Sequence, residues 1–242
     1  MIQFYAPDIA TDPTLPEVDS RHCVKVLRYR EGDTLEVIDG KGHRYTCRLA
    51  EADPRHAKVE IIDVTAVPLP WNYNLAVAVA PTKHIDRMEW LVEKLTEIGI
   101  NRFIPLRCEH SERKEVKTER LEKIAVSAMK QSLKTVLPVI DPITPVKHVI
   151  DTFEADQKFI AYCDVSLPRR LLSREIRPNA STLILIGPEG DFTPAEITKA
   201  LDTGYIPVSL GDNRLRTETA ALTACDTVHI INQLDPNATF AS

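Results

Sequence analysis

From about residue 73 onward, the apolar positions switch between two spacings. Leu75-Ala76-Val77-Ala78-Val79-Ala80 is a continuous apolar run, the pattern of a strand buried on both faces. Met88, Leu91, Val92, Leu95 and Ile98 then recur at threes and fours. That spacing predicts a helix over Ile85–Ile98, with Gly99 as its stop. The alternation continues with a strand at Arg102–Leu106 and a helix at Thr118–Thr135, whose apolar face is Leu121, Ile124, Ala125, Ala128, Met129 and Leu133. Short strands follow at Pro138–Ile140 and Lys158–Cys163, then a brief helix at Leu171–Ile176. Strands at Thr182–Ile186 and Ile206–Leu210 come next, and a last helix at Glu218–Gln233. Strand-helix alternation of this kind implies an α/β domain: a mainly parallel sheet with helices on both faces.

The first 67 residues have a different texture. Thr34–Ile38 alternates, Asp39-Gly40-Lys41-Gly42 is a hairpin signal, and His43–Leu49 returns with Tyr45, Cys47 and Leu49 on one face. Lys58–Val67 reads as a further strand, and Arg21–Tyr29 as a short helix capped by Asp19 or Ser20. Several strands and one helix suggest a small β-barrel over residues 1–67. Pro68-Leu69-Pro70-Trp71 breaks regular structure, so residues 68–72 are read as a linker and 73–242 as the second domain.

Two loops carry the candidate chemistry. Gly187-Pro188-Glu189-Gly190 follows the apolar strand Thr182–Ile186, and its glycines suit positive φ or close backbone approach. Thr193-Pro194-Ala195-Glu196 then reads as a capping box with proline at the first helical position. The second loop follows Gly211 and runs Asp212-Asn213-Arg214-Leu215-Arg216-Thr217-Glu218-Thr219 into the last helix. Capping by Thr217 or Thr219 and a dipole-facing Glu218 would explain part of it. Two arginines at a helix N-terminus oppose the dipole, and so point to an anionic partner.

Composition narrows the class. The 242 residues are 43% hydrophobic and 27% charged, with a formal net charge of −5, the profile of a soluble globular protein that does not wrap nucleic acid non-specifically. Against that acidic background, Arg21, His22, Lys25 and Arg28 fall on one side of the N-terminal helix, a candidate phosphate-contacting face. No apolar run approaches the ~18 residues of a membrane span, and the N-terminus lacks the features of a signal peptide. Five scattered cysteines without a CxxC pair, and seven histidines without ligand spacing, give no metal site. A cytoplasmic protein with reduced thiols is expected. No GxGxxG follows the first large-domain strand, and no GxxxxGK[ST] occurs.

GPEGDF, SLGDNRLRTETA, RHCVKVLR and TKHIDRMEWLVEKLTEIGI together resemble the RsmE family of uridine-N3 methyltransferases, members of the trefoil-knotted SPOUT class. The resemblance implies a SPOUT-type knotted sheet behind a PUA-like RNA-binding domain. It implies S-adenosyl-L-methionine as cofactor, small-subunit ribosomal RNA within a 30S subunit as substrate, and a homodimer. It makes Leu185, Ile186, Gly187, Glu189, Gly190, Leu210, Gly211, Leu215, Thr217 and Thr219 cofactor-binding residues, with Arg216 and Glu218 catalytic. Arg21, His22, Lys25, Arg28, Lys83, Arg87 and Arg113 become RNA-binding residues. Glu93, Lys94 and Glu97 match the same helix pattern; a solvated charge ladder is the better account of Glu93, and Lys94 and Glu97 stay open. The family pattern has glycine where this chain has Asp191. That departure leaves room for an RNA-binding assembly factor with a vestigial pocket, and ribose 2′-O methylation on the same scaffold is a second alternative.

Overall fold

The structure is a computed structural model that describes residues 2–163 and 169–235. The chain divides into two compact units. The first comprises Met1–Pro70 and Val126–Leu137, and the second Trp71–Ala125 and Pro138–Ser242. Residues 126–137 therefore pack with the N-terminal unit, although the sequence pattern assigns them to the larger domain.

In the first unit, strands β1 (Gln3–Tyr5), β2 (Thr34–Ile38), β3 (His43–Glu51) and β4 (Lys58–Ala66) form a sheet in that order. β1 is parallel to β2 and the others are antiparallel, so the expected barrel takes the form of a four-stranded mixed sheet. Phe4, Leu35, Val37, Tyr45, Cys47, Leu49 and Val59 alternate onto one buried face. Asp39 fixes the β2–β3 turn by accepting hydrogen bonds from the Lys41 and His43 main-chain N–H groups and meeting the His43 ring at 2.8 Å. Burial alone would raise its pKa, but these donors outweigh it and hold the pKa below the usual carboxylate value. Segment 126–137 is joined to the sheet by Gly42 N–H to Thr135 O, Leu137 N–H to Gly40 O, and a Lys130–Asp19 ion pair.

The N-terminal helix departs from expectation. α1 spans Glu17–Arg21 and continues as one π-helical turn over His22–Val26. Asp19 and Ser20 are not caps but buried members of it. The Ser20 hydroxyl donates to Leu15 O and accepts from Ala57 N–H, which ties the helix to the sheet margin. Arg28 sits at φ 60° and turns the chain out of the helix.

The second unit contains β5 (Leu75–Val79), α2 (Ile85–Ile98), β6 (Arg102–Arg107), α3 (Thr118–Gln131), β7 (Val139–Ile140), β8 (Thr144–Pro145) and α4 (Val146–Thr152). It continues with β9 (Gln157–Ala161), β10 (Arg170–Leu171), α5 (Leu172–Glu175), β11 (Thr182–Ile186), α6 (Pro194–Asp202), β12 (Ile206–Ser209) and α7 (Thr217–Gln233). β8, α4 and β10 are too short to show in the hydrophobic pattern. α3 stops before the expected Thr135 because Leu133 takes φ 58°, and its side chain is exposed rather than on the apolar face. The last six residues of α3, 126–131, belong to the first unit's segment.

All strands of the larger sheet are parallel, in the order β10-β12-β9-β11-β5-β6-β7, with β8 also on β6. β11 is thus inserted between β5 and β9, two strands laid down earlier in the chain. Ala76, Ala78, Leu183 and Leu185 face α4 and α6 in one core cluster. α7 returns to pack on β5, β11 and α2. A late central strand and a terminal helix returning across it are the arrangement expected of the SPOUT class.

The far end of that return is keyed by Gly99, at φ 137°, where a Cβ would lie 2.3 Å from the Trp71 ring. The Gly99 carbonyl meets His229 Nε2 of α7 at 2.6 Å, and His229 Nδ1 meets the buried Tyr73 hydroxyl at 2.6 Å. A carbonyl only accepts, so Nε2 carries a proton and donates to Gly99. Gly99→Ala should destabilise the protein by about 3 kcal/mol, from strain at positive φ and overpacking on Trp71. A thermal melt unchanged from wild type would contradict this.

Candidate functional site

The site lies at the carboxyl ends of the central parallel strands, where α/β sheets present their loops. Leaving β11, the chain forms a turn closed by Asp191 N–H to Pro188 O at 2.9 Å, then enters α6 through the expected capping box. Thr193 Oγ1 accepts from Glu196 N–H, and the Glu196 carboxylate accepts from Thr193 N–H at 2.8 Å. Neither loop glycine has positive φ; that conformation falls on Asp191, at φ 61°. The two glycines instead allow close approach. A Cβ on Gly187 would lie 3.1 Å from the Phe192 ring, and one on Gly190 would lie 3.2 Å from His110 Cβ.

The second loop meets the first. Thr217, the first residue of α7, donates through Oγ1 to the Gly187 carbonyl at 3.3 Å. It therefore joins the loops rather than capping the helix, whose N-cap is Arg216 with no side-chain cap. Gly211 supplies the positive φ, 122°, that turns the chain out of β12. Glu218 is buried; Oε1 lies 3.6 Å from Arg87 Nη1, and Oε2 has no hydrogen-bond partner among the described residues. Arg216, Gly211 and Thr219 are exposed, and Leu210 and Leu215 half-buried. Ile186 is buried on the opposite sheet face from Leu185, whose side chain is spent in the core with Ile197 and Ala200. Leu185 is therefore not free to form a wall of the site.

Three neighbouring loops brace this pair. From the end of β5, Lys83 N–H donates to Glu189 Oε1 at 3.3 Å. Beyond β6, Arg113 donates from Nε to Thr82 O at 3.3 Å and from Nη2 to Lys83 O at 2.8 Å. His110 Nδ1 lies 3.0 Å from Gly190 O and 3.1 Å from Asp191 O, and Glu109 N–H donates to Glu196 Oε1. Beyond β9, Cys163 N–H donates to Asp191 Oδ2 at 2.8 Å.

Lys83, Arg87, Arg113, Gly187, Glu189, Gly190, Thr217 and Glu218 are thus linked by hydrogen bonds and ion pairs. The linkage places Arg87 on Glu218 and Arg113 on backbone carbonyls. Lys94 is held by Glu93 and Glu97 at 2.8 and 2.7 Å, the charge ladder. Arg21, His22, Lys25 and Arg28 belong to the other unit. There Arg21, Lys25 and Arg28 are exposed, while His22 is half-buried edge-on to Phe4. The contacts of His110, the bond from Glu109 to Glu196 and the left-handed conformation of Asp191 were not legible in the sequence; the Glu109–Glu196 partners lie 87 residues apart.

Comparison with known proteins identifies the class. The family described as RNA methyltransferase domain matches residues 69–229, and RNA methyltransferase PUA domain matches residues 15–62. The fold is that of a PUA-bearing RNA methyltransferase. The structure of a probable rRNA-methyltransferase from Porphyromonas gingivalis is 44% identical with a TM-score of 0.91, covering 96% of this chain and 99% of that one. The Ribosomal RNA small subunit methyltransferase E of Neisseria gonorrhoeae, solved bound to S-adenosyl methionine, is 28% identical with a TM-score of 0.82 over 96% of this chain and 98% of that one. The Mesomycoplasma hyopneumoniae protein of the same name is 32% identical over 82% of this chain and 86% of its own length. The chain belongs to the ribosomal RNA small subunit methyltransferase E (RsmE) family.

Arg113→Lys should loosen the β5 exit loop, because an ammonium cannot span two carbonyls as the planar guanidinium does. The expected result is a loss of about 1 kcal/mol and faster hydrogen exchange at the Lys83 amide. Unchanged exchange would assign Arg113 a role elsewhere.

Proposed function

We propose that this chain transfers the methyl group of S-adenosyl-L-methionine to N3 of a uridine in small-subunit ribosomal RNA. We also propose that it acts in the cytoplasm, as a homodimer, on rRNA within the 30S subunit. The observation that carries the reading is the junction of the two loops with a buried carboxylate oxygen left over at it. The Glu218 Oε2 atom lacks a donor among the described residues, and buried polar atoms without partners are rare away from functional sites. The residues fit the cofactor: an anion for a cationic ligand, exposed loop main chain at Glu189 and Gly190, and half-buried Leu210 and Leu215. The name and bound ligand of the Neisseria relative point the same way.

The cofactor, when bound, supplies a methyl group already activated on a sulfonium, so the protein contributes alignment and exclusion of water. Gly187, Glu189, Gly190 and Gly211 present main-chain groups, while Thr217 keeps the loops together. Glu218 holds Arg87 through Oε1 and offers Oε2 to the ligands. Arg216, exposed and without an ion pair among the described residues, stabilises negative charge on the uracil oxygens as N3 gives up its proton to the Glu218 carboxylate. The target base must be unpaired or extruded, since N3 is hidden in a duplex. Arg21, Lys25 and Arg28 contact phosphates. No helix among the described residues is long and apolar enough to cross a membrane.

Calorimetry with S-adenosyl-L-methionine and mass mapping of rRNA from cells lacking the gene test the reading; no binding, or loss of a 2′-O-methyl mark, would replace it. Arg216→Ala should lower kcat by about 100-fold or more with the melting temperature unchanged, measured by methyl transfer to 30S subunits. Arg28→Glu should weaken RNA binding and flatten the slope of log affinity against log salt by about 0.9. An unaltered slope would reject the basic face.

A further inference from the structure

Asp191 stands at the one left-handed position of the first loop, where glycine carries no steric cost. Its carboxylate is fully engaged. Oδ2 accepts from Cys163 N–H at 2.8 Å, beyond the end of β9, and Oδ1 accepts from its own neighbour, Phe192 N–H, at 2.8 Å. Its main-chain N–H closes the turn on Pro188 O, and its carbonyl is one of the two facing His110 Nδ1. Carbonyls cannot donate, so Nδ1 bears the proton and grips both Gly190 O and Asp191 O from the β6 side.

We propose that Asp191 and His110 are positioning residues for the cofactor loop: they tie Gly187–Asp191 to the exits of β9 and β6 and hold its main chain in the binding conformation before ligand arrives. A loop whose left-handed position was glycine would keep the His110 bonds to its main chain but lose the side-chain tether to the exit of β9. Here the side chain accepts two main-chain N–H groups, bonds of the stronger, charge-assisted kind. A preformed loop binds its ligand without the cost of ordering. The carboxylate faces N–H groups rather than standing free in the loop, so it does not speak for a vestigial pocket. This inference rests on the cofactor-binding reading of that loop.

The test compares Asp191→Gly, Asp191→Asn and Asp191→Ala, with His110→Ala as a second arm. One readout is amide exchange at Cys163 and Phe192 in the ligand-free protein; the other is affinity for S-adenosyl-L-methionine by calorimetry. Asp191→Gly, which relieves the left-handed strain but removes both acceptors, should exchange faster at both amides and bind the cofactor about tenfold more weakly. Asp191→Asn keeps one accepting oxygen and should lose about threefold. Asp191→Ala adds strain to the lost tether and should be weakest. His110→Ala should speed exchange across Gly190–Phe192, and in all variants KM for the cofactor should rise more than kcat falls. Wild-type exchange and affinity in Asp191→Gly would overturn the proposal, because the residue would then serve the backbone angle alone. If the wild-type protein fails to bind the cofactor, the functional reading falls, while the exchange arm still decides the tether.

Discussion

The insertion of β11 between β5 and β9 governs the larger unit. Thr182–Ile186 pairs along its whole length with a parallel strand on each side, and every one of its residues is buried. A strand in that position needs apolar side chains on both faces and has no free edge. Its exit is then confined to one place, the middle of the sheet's carboxyl end, with the exits of β5, β6 and β9 around it. The brace of Lys83, Arg113, His110 and Cys163 on Gly187–Asp191 follows from that placement.

The same constraint explains how the second loop reaches the first. β12 adds outside β9, so the chain must come back across the sheet to bury α7 on β5 and β11. The return brings Thr217 under the Gly187 carbonyl and Glu218 beside Arg87. At its far end, His229 fastens α7 to Tyr73 and Gly99, which sets the helix along its axis. Arg216 and Glu218 are therefore aimed by packing some three turns away from them as well as by local bonds.

Charged residues divide by what they touch. Arg113 and Arg87 are partly buried and occupied by protein groups, so their charges serve the architecture of the loops. Arg216, Arg21, Lys25 and Arg28 are exposed, without an ion pair among the described residues.

Much of the fold was legible in the chain. Helix α2 and strand β2 fall on the expected residues, and the capping box at Thr193 and the stop at Gly99 follow from local chemistry that neighbouring residues dictate. The second loop stood out as a candidate site because its arginines oppose the helix dipole, whereas the first, taken alone, reads equally well as an ordinary tight turn. The chain alone did not show that segment 126–137 packs with the first unit, that Asp19 and Ser20 are buried instead of capping, or that Leu185 faces the core. Nor did it show that the left-handed residue is Asp191 and not a glycine. Spacing along a chain reports which face of one element is apolar; it carries no record of which distant element covers that face. Hydrogen bonds such as His110 to Gly190 and Glu109 to Glu196 span 80 and 87 residues, and only the order of strands in the sheet brings those partners within reach.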